Sequence, residues 1–157
     1  MFSDREEARY ERHFSLPSFG PEGQLALRNS SVLCIGAGGL GSAAALYLAA
    51  AGTGRLGIVD DDTVDFSNLQ RQILFTETDI GQSKVAIARA RLNSLNSQCT
   101  INVVDEALTA ENATALLAGH SVIIDATDLV TTRYVINDAC RELGIPWVMG
   151  AVIRFEG

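Results

Sequence analysis

Apolar residues cluster in five short runs, at residues 32–35, 55–59, 100–104, 122–125 and 147–151, and glycine, serine, asparagine and aspartate punctuate the chain around them. Runs of that length with turn residues nearby predict β-strands. Between them, segments 40–51, 82–95, 110–117 and 131–143 space their apolar positions at helical intervals. Strict alternation of strand and helix predicts an α/β fold: a Rossmann-like, doubly wound, mostly parallel sheet with helices on both faces and right-handed crossovers. In the strand order 3-2-1-4-5, strands one and four are neighbours, the chain reverses direction between them, and their C-terminal ends share a crevice.

A helical segment is expected ahead of that sheet. Ser3 and Glu6 fit a capping box, each side chain satisfying an orphan amide near the other, so a helix should run to about Phe14. Residues 16–23, with two prolines and two glycines, then interrupt it, and a short helix is expected at 24–28. The chain thus divides into an N-terminal helical segment, 1–30, and a core domain, 31–157.

Composition narrows the function. The chain has 157 residues, 47% of them hydrophobic, enough to bury the core of one domain. A net charge of −7, with 12 lysines and arginines spread along the sequence, argues against nucleic acid as the partner. Cys34, Cys99 and Cys140 form no Cys-x-x-Cys pair and read as small buried hydrophobes. The charged N-terminus has no signal-peptide core and the longest apolar run is broken at Gly41 and Ser42, so a cytoplasmic protein without a membrane span is expected.

The chemistry concentrates at strand ends. Gly36-Ala-Gly-Gly-Leu-Gly41 joins strand one to a helix in the spacing G-x-G-x-x-G, where Gly36, Gly38, Gly39 and Gly41 allow a tight turn and let a phosphate approach the helix N-terminus. Asp60 ends strand two, in place to bind ribose hydroxyls. Neither feature distinguishes a dinucleotide from a mononucleotide.

The connection 61–81 is long for a crossover and contains Ser67-Asn-Leu-Gln-Arg-Gln72, and Lys84 follows in the first turn of a helix, where the macrodipole penalises a cation unless an anion is near. Taken singly, Arg71 reads as a solvated loop charge and Lys84 as a surface helix residue. Together they fit a triphosphate undergoing substitution better than a nicotinamide dinucleotide, whose pyrophosphate the glycine turn already accommodates. Asp128, beyond strand four and across the crevice, would be repelled by phosphates unless a cation lay between, which points to magnesium. Its alternative role is an Asx turn or N-cap for the helix from 131. Asp125 carries no assignment.

With GAGGLG, the acidic strand end, SNLQRQ, IGQSK and DATD in this order, the chain resembles the ThiF/MoeB/HesA family over nearly its whole length, from RYERH at residues 9–13 to the C-terminus. The resemblance implies adenylation of the C-terminal Gly-Gly carboxylate of a small ubiquitin-like sulfur-carrier protein, using ATP and magnesium and releasing pyrophosphate. It gives Asp60 to the ribose, Asn68, Arg71 and Lys84 to the phosphates, and Asp128 to the catalytic magnesium. Arg12 resembles the arginine that reaches the partner subunit's ATP in homodimeric members. The carrier stays open among molybdopterin, thiamine, thiolated-tRNA and cysteine pathways.

Two departures stand out. Relatives commonly carry Asn after the magnesium aspartate, where this chain has Leu129. They also continue past the position of Gly157 into further strands, a zinc site built from Cys-x-x-Cys pairs and a crossover loop, so a truncated chain is expected, with zinc confined to the missing part. The competing readings are a non-catalytic nucleotide-binding or dimerisation module and a dehydrogenase.

Overall fold

The structure is a computed structural model that describes residues 1–154 and 156–157. Its element order is α1 (Asp4–Phe14), α2 (Gly20–Asn29), β1 (Ser31–Ile35), α3 (Gly39–Ala51), β2 (Arg55–Val59), α4 (Lys84–Leu95), β3 (Thr100–Val104), α5 (Ala110–Leu117), β4 (Val122–Asp125), α6 (Val130–Leu143) and β5 (Trp147–Met149). Two short 3-10 helices, Phe66–Asn68 and Glu77–Asp79, interrupt the connection from β2 to α4.

The five strands form one parallel sheet in the order β3-β2-β1-β4-β5. This is the Rossmann-like α/β architecture expected from the alternation of strand and helix. The central strand β1 is buried along its whole length and its side chains alternate between two cores. Val32 belongs to the layer under α3 and α4, with Ala45, Ala49, Leu56, Ile58 and Leu92. Leu33 and Ile35 face the opposite layer, with Leu117, Ile123, Ile136 and Ala139. Fully burying one such leucine or isoleucine contributes about 1.5–3 kcal/mol, which pins the register of β1 and hence the level of the turn that follows it.

The capping box at Ser3 and Glu6 forms as expected, with the Ser3 amide donating to Glu6 Oε2 at 2.8 Å. The following helix departs from expectation. It begins at Gly20, not near residue 24, because Pro21 sits in its first turn, where a missing N–H costs nothing. Gln24 is buried; its Oε1 accepts from His13 Nδ1 at 2.7 Å, and its Nε2 donates to the Ala51 carbonyl at 2.9 Å. Asn96 donates to the Tyr10 hydroxyl and to the Ala49 carbonyl, and Arg9 donates to the Leu95 carbonyl. These bonds fasten α1 and α2 to the C-terminal ends of α3 and α4, at the end of the sheet where strands begin. At the other limit of the chain, β5 stops at Met149, short of the predicted residue 151, as Gly150 turns its amide onto the Asp125 carbonyl. Among the described residues no helix is long and apolar enough to cross a membrane.

Candidate functional site

A cleft of about 1100 Å³ opens at the C-terminal ends of the strands, and the glycine turn forms its floor. Gly36 leaves β1 with φ +94°, and a Cβ there would stand 3.0 Å from the Ala126 carbonyl oxygen on the turn after β4. At Gly41 a Cβ would overlap the Gly36 carbonyl itself. Both positions require glycine, one for its backbone and one for space. The N-cap of α3 is Gly38, without a side-chain cap, so the amides of the first turn keep their capacity for an anion.

Asp60 ties this floor to the next strand. Its Oδ2 accepts from the Ala37 amide at 2.7 Å and its Oδ1 from the Asp62 amide at 2.9 Å, while the residue still lines the cleft. The carboxylate therefore shapes the glycine turn whatever else it binds, a structural duty the sequence did not announce.

The connection after Asp60 supplies one wall. Asp65 caps the 3-10 helix that ends at Asn68, accepting from the Ser67 amide at 2.8 Å. Arg71 donates to the Ser67 carbonyl at 3.2 Å, and its methylene stem covers Gly39, so its guanidinium is held beside the α3 N-terminus. Lys84 is the first residue of α4 and is only 3% exposed, which overturns its reading as a surface helix residue. Its Nζ donates to Asp62 Oδ2 at 2.7 Å, so the anion that offsets the first-turn penalty is Asp62, a residue the sequence pattern did not single out. The Asp62 side chain is 70% exposed. Solvent there weakens its hold, and a stronger anion in the cleft can share the ammonium.

The opposite wall comes from the turn between β4 and α6. Asp128 is exposed, lines the cleft and makes no side-chain hydrogen bond among the described residues. The N-cap of α6 is Leu129, without a side-chain cap, so the capping role weighed for Asp128 does not hold. The turn is instead closed by Asp125, whose Oδ1 accepts from the Thr127 amide at 3.0 Å and the Thr127 hydroxyl at 2.7 Å. A free carboxylate at Asp128 is the hard oxygen donor that magnesium takes. Asp60, Asp61 and Asp62 also bring carboxylate oxygens within 4.8 Å of one another, but two of the three are engaged by Lys84 and backbone amides.

Of the residues singled out from the sequence, Gly36, Gly38, Gly39, Asp60, Asn68, Arg71, Lys84 and Asp128 line this one cleft, with Gly41 packed beneath it. Arg12 does not. It is exposed on α1, at the other end of the sheet, so it cannot serve the cleft of its own chain. All three cysteines are buried and free, and burial, then the Asp60 and Asp125 carboxylates, push the Cys34 thiol up to about 12, which removes it as a nucleophile near neutral pH.

Fold and cleft together define a Rossmann-like α/β domain with a glycine turn at the topological switch point. Within that class the sequence profile of the ThiF family matches residues 10–157, and the chain belongs to that family. It is 47% identical over 156 residues to the probable molybdopterin-synthase adenylyltransferase of Porphyra purpurea, covering 99% of this chain and 41% of that protein. With the adenylyltransferase and sulfurtransferase MOCS3 of Anopheles gambiae the identity is 51% over 152 residues, covering 97% of this chain and 34% of the relative. The chain thus spans between a third and a half of the length of these relatives. Among solved structures, the E. coli tRNA N6-threonylcarbamoyladenosine dehydratase TcdA in complex with ATP superposes with a TM-score of 0.88 at 31% identity, over 95% of this chain and 61% of TcdA.

Proposed function

We propose that the chain is the ATP-binding portion of an adenylyltransferase that activates the C-terminal Gly-Gly carboxylate of a small ubiquitin-like sulfur-carrier protein. The observation that carries this reading is the cleft itself: Arg71 and Lys84 on one wall and an unbonded Asp128 carboxylate on the other, over a glycine turn that only glycine can make. The named activities of the relatives from Porphyra and Anopheles, and the ATP complex of TcdA, support it.

In this reaction a carboxylate oxygen attacks the α-phosphorus of ATP, the bond from that phosphorus to the bridging oxygen breaks, and pyrophosphate departs with the electron pair. No protein nucleophile and no proton transfer are required. Arg71 and Lys84 stabilise the charge that builds on the leaving group, Asn68 and Asp60 orient the nucleotide, and the turn amides hold its phosphates. Asp128 would hold magnesium, which when bound supplies further neutralisation of the phosphate charge. Arg12 acts on the cleft of a second copy in a homodimer.

Exchange of labelled pyrophosphate into ATP, dependent on a Gly-Gly carrier, tests the proposal on the chain and on the full-length protein of its gene. ATP with magnesium should also raise the melting temperature more than NAD does, since a ligand at 100 times its Kd adds about 2.7 kcal/mol. A larger shift with NAD would overturn the assignment. Leu129, 61% exposed beside Asp128 where a polar group would be expected, favours one second reading, nucleotide binding without turnover. A magnesium-ATP shift with no exchange in either protein would select it.

A further inference from the structure

Two cations that the adenylation reading leaves unused line the cleft, and they differ: Arg154 is exposed, so water already serves its charge, whereas Arg133 is partly withdrawn from solvent. Arg133 lies in the first turns of α6 and lines the cleft on the Asp128 side, opposite Arg71 and Lys84. Its Nη2 donates to the Thr127 carbonyl at 2.9 Å, which holds the guanidinium against the turn after β4. Its Nε is buried and has no acceptor among the described residues, and no carboxylate among them comes within ion-pairing distance. Nor does α6 offset the charge, because its N-cap carries no side-chain cap and its first turn holds no acid. A partly buried guanidinium, unpaired and on the unfavourable end of a helix dipole, is electrostatically incomplete. Lys84, by contrast, has Asp62.

Joining a carboxylate to a phosphate brings two anions into one cleft, and each needs a cation while they are still separate. Arg71 and Lys84 stand with the phosphate-binding floor on the β2 side. Arg133 stands on the far wall, where Leu129, Val130, Val152 and Ile153 are exposed and apolar with the exposed Arg154 following them, a surface suited to the backbone of a polypeptide tail. A planar guanidinium with one nitrogen anchored presents its remaining N–H groups in fixed directions, which suits the two oxygens of a carboxylate. We propose that Arg133 receives the substrate's carboxylate and holds it across the cleft from the phosphates, an inference that rests on the adenylation reading.

Its test separates the two claims. In the full-length protein, with nitrogen-15 in the arginine side chains, burial should slow exchange of the Arg133 Nε–H enough to observe its resonance, assigned by its loss in Arg133→Gln. Diglycine should shift that resonance, whereas diglycinamide, the same molecule without the carboxylate, should leave it in place. In pyrophosphate exchange, Arg133→Gln should raise the half-saturating carrier concentration about ten- to a hundredfold, the scale of a lost charge-assisted hydrogen bond, with half-saturation by ATP unchanged. Arg133→Lys, which keeps the charge without the fork, should fall between. No shift with diglycine, an equal shift with the amide, or matching losses of carrier and ATP affinity would overturn the assignment to Arg133. Absence of exchange in the unmodified protein would instead sink adenylation, and the resonance experiment would still report on Arg133.

Discussion

Asp125 and Asp128 are three positions apart and chemically identical, yet the backbone gives them opposite work. Asp125 ends a buried strand and spends one oxygen on the Thr127 amide and hydroxyl, while Asp128 stands free in the cleft. If Asp128 meets magnesium, Asp128→Asn should lower carrier-dependent pyrophosphate exchange by about two decades or more, as for a lost electrostatic clamp, with the melting temperature held. Retention of near-normal exchange in the Asn protein would refute the metal role. Sequence alone points to Asp128 and gives Asp125 no role, but it leaves the capping alternative for Asp128 open; that alternative closes with the observation that Leu129 is the N-cap, and the part of Asp125 in the turn shows only in the fold. Lys84 was half legible in the same sense. Its misplaced charge at a helix start signalled a nearby anion, but Asp62, 22 positions earlier, is one of three consecutive acids, and only the fold selects it.

At the scale of the elements, the strands and helices of the core are readable because short apolar runs alternate with longer helix-forming stretches, α3 being rich in alanine and leucine on all sides, and because many boundaries carry glycine or a capping residue. What was misread lies at boundaries where one residue type has two meanings. Pro21 was read as a breaker and proves to start α2. Gly150 stands where the apolar run suggested that β5 continued. The turn between β1 and α3 has no such ambiguity, because two glycines are demanded by neighbours already in place. Gly41→Ala should therefore destabilise the domain by about 1–3 kcal/mol through overlap with the Gly36 carbonyl, measured by urea unfolding, and should weaken ATP binding in parallel as the turn shifts. Unchanged stability would mean that the turn yields more easily than its packing implies.

Across the whole molecule the cleft and α1 occupy opposite ends of one sheet. Because α1 is bonded to the far ends of α3 and α4, Arg12 serves a cleft only if a second copy presents one. Mixing Arg12→Ala protein with Asp128→Ala protein should then restore part of the exchange activity that each lacks, since one cleft of the mixed dimer has both groups. Verified mixed dimers with no recovery would exclude action between copies. The pairing of β1 with β4 carries a different consequence, for the chain as it is being made. Ser31 meets Ser121 across 90 positions, so at translation speeds of about 5–20 residues per second the central strand waits some seconds for the neighbour that completes the crevice. During that wait one edge of the most apolar strand lies open, and the glycine turn has no Ala126 carbonyl to pack against. The nascent domain is thus at its most sticky just before it can bind nucleotide, and a pause in synthesis between residues 60 and 120 is the interval in which a chaperone has most to cover.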